Sequence, residues 1–372
     1  MTTLPIIRPT LPAVKEVEQL LAPSWKVGAV TLSETMKAFE AQVCHRTCVN
    51  HAVALSSCTA GLMLIPRALS LPAGSEVIVP SFTFAATAQA LVWNGLVPVF
   101  CDCLPGTCTM DPEDVARNVT PATSAICGVT VYGLPPDIEG LLEVGRRNGL
   151  PVYFDSAQGL GATYKGRPLG SFGVCEVFSL SPTKVVTAIE GGLITTNDEQ
   201  LAMKFRAMRD YGKDPSGGEE MVHMGLSARM SELHAAVGVL SLRRAEDLVK
   251  ARLDLIEIYR ERLGRLPGCS VQHQPADRTS SGNYFVLFIS ERAKLSRDEV
   301  HLRLKDAGIQ TKRYFYPPVH EQKIFQNYPK RVSLAMREAP RISREALALP
   351  LYSHMTPDEQ DRVCSELEKV LV

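Results

Sequence analysis

Val152-Tyr153-Phe154-Asp155-Ser156-Ala157-Gln158 and Val177-Phe178-Ser179-Leu180-Ser181-Pro182-Thr183-Lys184 each begin as a short apolar run and end in polar side chains. Short runs rich in β-branched and aromatic residues read as strands, and near-continuous apolarity means burial on both faces. The pattern recurs between residues 50 and 200 at Val53-Ala54-Leu55, Val77-Ile78-Val79, Val97-Pro98-Val99-Phe100 and Ala125-Ile126-Cys127. Helical patterns over Thr59–Leu69, Ala85–Trp93, Pro112–Asn118 and Ile138–Asn148 separate these runs. The alternation predicts an α/β fold on a mainly parallel sheet covered by helices. In such sheets ligands bind beyond the carboxyl ends of the strands, where Ser56-Ser57-Cys58-Thr59 and Asp155 to Gln158 both fall.

A chain of 372 residues exceeds what one hydrophobic core normally fills, so two domains are expected. Lys plus Arg and Asp plus Glu each number 40, which removes the positive excess used to grip nucleic acid or anionic membrane. A small molecule or another protein is the expected partner. With no secretory leader pattern and no run of about 20 apolar residues, the chain reads as a soluble cytoplasmic protein. Its ten cysteines are dispersed. The clusters Cys44, His45, Cys48 and Cys101, Cys103, Cys108 lack paired Cys-x-x-Cys spacing, so reduced thiols and no metal are expected.

Lys184 lies 29 positions after Asp155. That order suits pyridoxal phosphate, which needs a lysine to hold its aldehyde as a Schiff base and a carboxylate to keep its pyridine nitrogen protonated. Ser179, five residues before the lysine, is a candidate phosphate donor, and Gly191-Gly192 lets the backbone turn tightly. Ser57-Cys58-Thr59 ends a strand and opens a helix, where N–H groups and the Thr59 hydroxyl stabilise a phosphate; the same residues also make an ordinary N-cap. One aromatic of Pro80-Ser81-Phe82-Thr83-Phe84 is available to stack on a pyridine. Gln158 reaches the ring hydroxyl if the backbone turns after Asp155. Gly159-Leu160-Gly161 lacks the third glycine of a dinucleotide loop and starts late after its strand, so a nicotinamide site is discounted.

Ser57-Cys58-Thr59-Ala60-Gly61-Leu62, the segment from Val77 to Ala88, Asp155-Ser156-Ala157-Gln158, Ser181-Pro182-Thr183-Lys184 and Gly225-Leu226-Ser227-Ala228-Arg229-Met230-Ser231-Glu232 together resemble the DegT/DnrJ/EryC1/StrS aminotransferase family. The resemblance runs over essentially the whole chain. It implies the aspartate-aminotransferase fold of pyridoxal-phosphate enzymes, fold type I, with a mainly parallel seven-stranded sheet in the large domain and a smaller α+β C-terminal domain. It also implies a homodimer with shared active sites. The implied activity moves an amino group from glutamate or glutamine to a keto group of a nucleotide-linked keto-deoxysugar or similar cyclic polyol. Lys184 is then the Schiff-base lysine, Asp155 the partner of the pyridine nitrogen, Gln158 a neighbour of the ring oxygen and Phe84 the stacking ring, with Cys58, Thr59 and Ser179 on the phosphate. Dehydrating relatives carry histidine in place of the lysine, so Lys184 favours amino transfer. Two positions depart from the pattern. Cys58 stands where many members have glycine, which leaves the backbone donor intact. Ser227 stands where the family has an asparagine reaching the phosphate of the neighbouring subunit, a shorter donor for which water can bridge the gap.

Elsewhere, Thr31 and Glu34 have capping-box spacing before a helix over Ser33–Val43, and Ser231–Leu263 reads as one nearly uninterrupted connector helix. Leu266-Pro267-Gly268 breaks it. A strand over Tyr284–Ile289 and helices over Ser296–Ala307 and Thr356–Val370 follow, which places a large domain at residues 1–240 and a small one at 241–372. Lys312-Arg313-Tyr314-Phe315-Tyr316-Pro317-Pro318-Val319-His320 resembles the family's sugar-facing segment and makes Arg313 and His320 candidates for acceptor binding, the arginine suiting a diphosphate. Two other readings stay open on the sequence. One is a pyridoxal-phosphate enzyme of another reaction type, a dehydratase or carbon–carbon bond former. The other is a non-catalytic pyridoxal-phosphate-binding regulatory protein, against which Lys184, Asp155 and Gln158 argue.

Overall fold

Alternate residues of each strand in the large sheet face opposite sides, and both sides are apolar. The computed structural model describes residues 3–214 and 216–372. On one face Ala54, Ile78, Val99, Ile126, Phe154, Phe178 and Leu193 pack beneath helices Glu34–Thr47, Pro112–Asn118, Ile138–Asn148 and Glu232–Arg243. On the other, Val53, Val77, Val79, Cys127, Tyr153, Val177 and Ile194 meet helices Cys58–Ala68, Ala85–Trp93 and Glu199–Met208. This two-sided burial is the physical content of the apolar runs.

The strands lie in the order His51–Leu55, Gly192–Thr196, Glu176–Ser179, Val152–Asp155, Thr123–Val129, Glu76–Pro80, Val97–Cys101, Arg331–Val332. Gly192–Thr196 is antiparallel to both its neighbours and the remaining pairings are parallel. The expected mainly parallel sheet is present, with an eighth strand added at its edge. That strand is only Arg331–Val332, and Arg331 fixes it by donating from Nε to Glu76 Oε1 at 2.6 Å and from Nη2 to Glu76 Oε2 at 3.0 Å. A second core surrounds the three-stranded antiparallel sheet Cys269–Val271, Phe285–Ile289, Ala346–Leu349. Tyr259, Leu287, Val300, Leu304, Leu347, Val363 and Leu367 fill it. Leu4 belongs to this distant core: its N–H donates to Gly308 O at 2.8 Å, and Gln310 N–H donates to Leu4 O at 2.9 Å. No helix among the described residues is long and apolar enough to cross a membrane.

Two local expectations are corrected. The segment Ser231–Leu263 is two helices, Glu232–Arg243 and Ala245–Leu263, broken at Arg244, whose φ and ψ are −101° and 8°. The first is buried along Ala235 to Leu242 in the large domain, and the second is amphipathic. No glycine or proline marks the change of packing partner, so helical periodicity passes through it unnoticed. Thr31 and Glu34 form no capping box. The helix starts at Glu34 without a side-chain cap, and the amides of Ser33, Thr35 and Met36 donate to the carboxylate of Glu232 at 2.8, 2.8 and 3.3 Å. A carboxylate from 200 residues away does the capping, where the helix dipole also favours it.

Glu176 opens the strand next to Val152–Asp155 and is fully buried. It accepts from Gly170 N–H at 2.6 Å, Phe172 N–H at 2.9 Å and the Ser156 hydroxyl at 2.6 Å. Burial outweighs these three donors and pushes its carboxyl up from 4.5 to about 7. A carboxyl whose folded-state value is raised contributes stability that is complete below about 4.5 and lost as pH rises through about 7. Glu176→Gln keeps an acceptor for both amides and removes the titration. Its unfolding free energy should therefore fall less between pH 5 and pH 8 than that of the wild type, by on the order of 1 to 3 kcal/mol. Urea unfolding at the two pH values measures this, and equal slopes would refute it.

Candidate active site

A cavity of about 300 Å³ opens at the carboxyl ends of the central strands. Cys58, Thr59, Phe84, Asp155, Gln158, Ser179 and Lys184, all singled out in the sequence, line it together. Ser57 caps helix Cys58–Ala68 by accepting Ala60 N–H at 3.1 Å, which leaves the Cys58 and Thr59 amides as donors at the helix's positive end. Among the described residues neither amide has an acceptor. The N-cap is thus present in the serine, and the next two amides are left free to donate.

Gly192 brings this helix start into register with the lysine loop. It pairs with Leu55 on one side and Ser179 on the other. A Cβ there would lie 2.2 Å from the Ser57 carbonyl carbon and 2.4 Å from Cys58 N. The loop that leaves Ser179 is closed by Leu180 N–H donating to Gly191 O at 3.0 Å and Ala188 N–H to Leu180 O at 2.9 Å. A turn from Ser181 to Lys184, with Lys184 N–H donating to Ser181 O at 3.0 Å, puts the amine inside. Its Nζ lies 6.0 Å from the centre of the Tyr284 ring.

Asp155 ends its strand in a buried position, with the Thr87 hydroxyl donating to Oδ2 at 2.7 Å and Ala157 N–H to Oδ1 at 3.1 Å. Burial pushes its carboxyl above the ordinary value, against the pull of those two donors and of Lys184. Burial likewise lowers the Lys184 amine, with Cys58 and Asp155 opposing and Arg252 adding to the fall. Gln158 Oε1 accepts Tyr132 N–H at 2.6 Å. Because an N–H needs an oxygen acceptor, this fixes the amide so that its NH₂ group is the end left to donate. Phe84, at the N-cap of helix Ala85–Trp93, is 60% exposed, whereas Phe82 of the same motif is buried against Tyr132 and Phe315. Only Phe84 offers a face.

The other sequence candidates lie outside this cavity. Ser227 is exposed and accepts from Arg229 Nη2 at 2.9 Å. Arg313 is exposed and pairs with Asp298 at 3.2 Å, and the His320 ring meets the Ser81 hydroxyl at 2.5 Å with burial holding its proton affinity below the ordinary value. Conversely, Ser181, Thr183, Glu190, Tyr284, Tyr314 and Phe315 line the cavity without having been chosen. Ser181 and Thr183 stood in the lysine motif itself. Tyr284 and Tyr314 belong to a cluster in which Phe82 and Tyr132 meet Phe315; Tyr314 stood in the Lys312–His320 segment, and nothing local to Tyr284 signals its approach. Thr87, three residues beyond Phe84, stood in the Val77–Ala88 segment without being given a role.

The family's sequence profile matches residues 13–368, and the chain belongs to the DegT/DnrJ/EryC1/StrS aminotransferase family. It is 35% identical over 327 residues to GDP-perosamine synthase of Caulobacter vibrioides, covering 87% of this chain and 86% of that protein. It is 32% identical over 370 residues to the spore coat polysaccharide biosynthesis protein SpsC of Bacillus subtilis, covering 96% and 94%. Among solved structures it superposes on DesI, determined in the presence of its TDP-sugar product, with a TM-score of 0.92 and 36% identity over 99% of this chain and 93% of that one. The fold is therefore that of fold type I pyridoxal-phosphate enzymes, and the protein is a pyridoxal-phosphate-dependent aminotransferase. The residues lining the cavity fit the cofactor in kind: two unpaired amides at a helix start, hydroxyls, a buried carboxylate, an amine and an exposed phenyl ring.

Gly192→Ala tests how this helix start is placed. The methyl group must displace the Ser57-Cys58 backbone, so the variant should lose pyridoxal phosphate on dialysis at least several-fold faster and lose on the order of 1 to 3 kcal/mol of stability. Unchanged retention would mean that the helix start does not hold the phosphate.

Proposed function

We propose that the protein transfers an amino group from glutamate or glutamine to the keto group of a nucleotide-linked keto-deoxysugar or a similar cyclic polyol. The observation that carries this reading is the convergence of Lys184 and Asp155 with the unpaired Cys58 and Thr59 amides in one cavity, in a chain similar over most of its length to a GDP-perosamine synthase. Lys184 is the residue proposed to bind the cofactor covalently, and, once free, to carry a proton from the donor's Cα. An amine lowered by burial has neutral nitrogen to offer for that task. Asp155 keeps the pyridine nitrogen charged, and Thr87 and the Ala157 amide hold the carboxylate in place. The bound cofactor supplies the electron-withdrawing ring that takes up charge as the Cα–H bond breaks. Gln158 donates toward the ring oxygen, Phe84 covers the ring, and Cys58, Thr59 and Ser179 take the phosphate.

The active unit in this proposal is a homodimer in which Ser227, exposed on its own subunit, completes the phosphate site of the other. Arg313 is the cation offered to an acceptor's diphosphate. His320, kept neutral by burial, serves only as a hydrogen-bonding partner.

Asp155→Asn should retain cofactor yet lose kcat by orders of magnitude, because an amide hydrogen-bonds a ring nitrogen without keeping it protonated. Turnover near wild type would make Asp155 a structural strand-end carboxylate. For the reaction itself, the loaded protein is given glutamate and then a panel of nucleotide-linked 3- and 4-keto sugars and inososes. Release of the keto acid, followed by recovery of the starting absorbance with one acceptor class, is expected. Bleaching without keto-acid release would point to a dehydratase or carbon–carbon bond former. In the same preparation, borohydride reduction and peptide mapping should mark Lys184, and a mark on another lysine would overturn the site.

A further inference from the structure

Arg252 lies in helix Ala245–Leu263 and is 1% exposed, the largest of the fully buried side chains. Its Nε donates to the Ser353 hydroxyl at 3.2 Å and its Nη1 to the Asn283 carbonyl at 3.1 Å. Among the described residues no carboxylate pairs with it. A buried cation held only by neutral acceptors is costly, and folds retain such groups when something gains from the charge. Burial brings even this guanidinium down to about 10.

The Asn283 carbonyl that Arg252 grips belongs to the residue before Tyr284. Tyr284 is the cavity wall facing the Lys184 amine at 6.0 Å. Charges around the amine are few. Asp155 and Cys58 favour its protonated form and Arg252 disfavours it, while Glu190 lines the cavity from an exposed position. Around Arg252 the titratable neighbours are Tyr284, which its charge favours as phenolate, and His354, which it disfavours as imidazolium. The cavity therefore has a carboxylate from the large sheet and, behind the tyrosine, an unpaired guanidinium from the connector.

We propose that Arg252 is a positioning residue of the reaction: a fixed cation that, by gripping the Asn283 carbonyl, sets the Tyr284 wall against the Lys184 amine and gives that side of the cavity a positive field. The proposal rests on Lys184 as the proton carrier described above. It assigns the connector helix a part in the chemistry that no side chain of that helix could play by contact.

The test reads the amine directly. Full-length protein freed of pyridoxal phosphate is acetylated over a pH series, and Lys184 modification is quantified by peptide mass spectrometry. Removing the cation removes a penalty on the protonated amine, so Arg252→Gln and Arg252→Met should move the Lys184 profile to higher pH, with labelling several-fold slower near neutrality. Arg252→Met fills the volume without a polar group and serves if the glutamine variant does not fold. Arg252→Lys should restore most of the wild-type profile. A merely structural arginine would lower the melting temperature and leave the profile in place, and that result in either folded neutral variant overturns the proposal. In cofactor-free protein labelling reports on Lys184 whether or not that lysine is the one that binds the cofactor, so an unmoved profile and a failed borohydride map are separate results.

Discussion

Gly192 occupies the one place in the sheet where three requirements meet. It closes the ladder to Leu55, so the chain can turn into helix Cys58–Ala68 directly beside it, and it closes the ladder to Ser179, from which the lysine loop departs. The space a side chain would need is already filled by the Ser57 and Cys58 backbone. The helix start with its two free amides and the loop that bears the amine are therefore held in register by main-chain contact, which only a glycine permits. Gly191 before it lies against Met230 and Leu180, so the loop is packed at its return as well as at its start.

Around this frame the site works by contrast of environment. Burial raises the carboxyl of Asp155 and lowers the amine of Lys184, and their partners offset only part of either shift. Thr87 is what keeps Asp155 useful as an anion, since a hydroxyl donor stabilises the ionised form without adding a competing cation. Glu176 holds the Ser156 hydroxyl one residue further along, so the turn bearing Asp155 is tied to the neighbouring strand by a group that is itself near its titration point at neutral pH.

The fold class and the centre of the site were legible because both depend on local patterns. Two-sided burial writes apolar runs, and strand ends write polar clusters at Ser57-Cys58-Thr59, Asp155 to Gln158 and Ser179 to Lys184. What escaped depends on distance along the chain. Arg331–Val332 is too short for a periodic signal and exists as a strand because Glu76 waits for the guanidinium. The Thr31 and Glu34 spacing was a plausible cap, but Glu232 outcompetes it by satisfying three amides at once. Tyr284 reaches the cavity only once Phe82, Tyr132 and Phe315, distant in sequence, have packed beside it. Arg244 breaks a helix with no breaker residue, because the two halves answer to different cores.

The hydrogen bonds of Leu4 tie it to Gly308 and Gln310, far along the sequence, and they carry a consequence for synthesis on the ribosome. At about 5 to 20 residues per second, roughly 15 to 60 s separate the emergence of Leu4 from that of Gly308 and Gln310. During that interval the small core that Leu4 enters is not yet complete. The strands from His51 to Thr196 have already been made and are free to assemble. Leu4 is thus made long before the core that shelters it, and stays exposed until that small core closes around it.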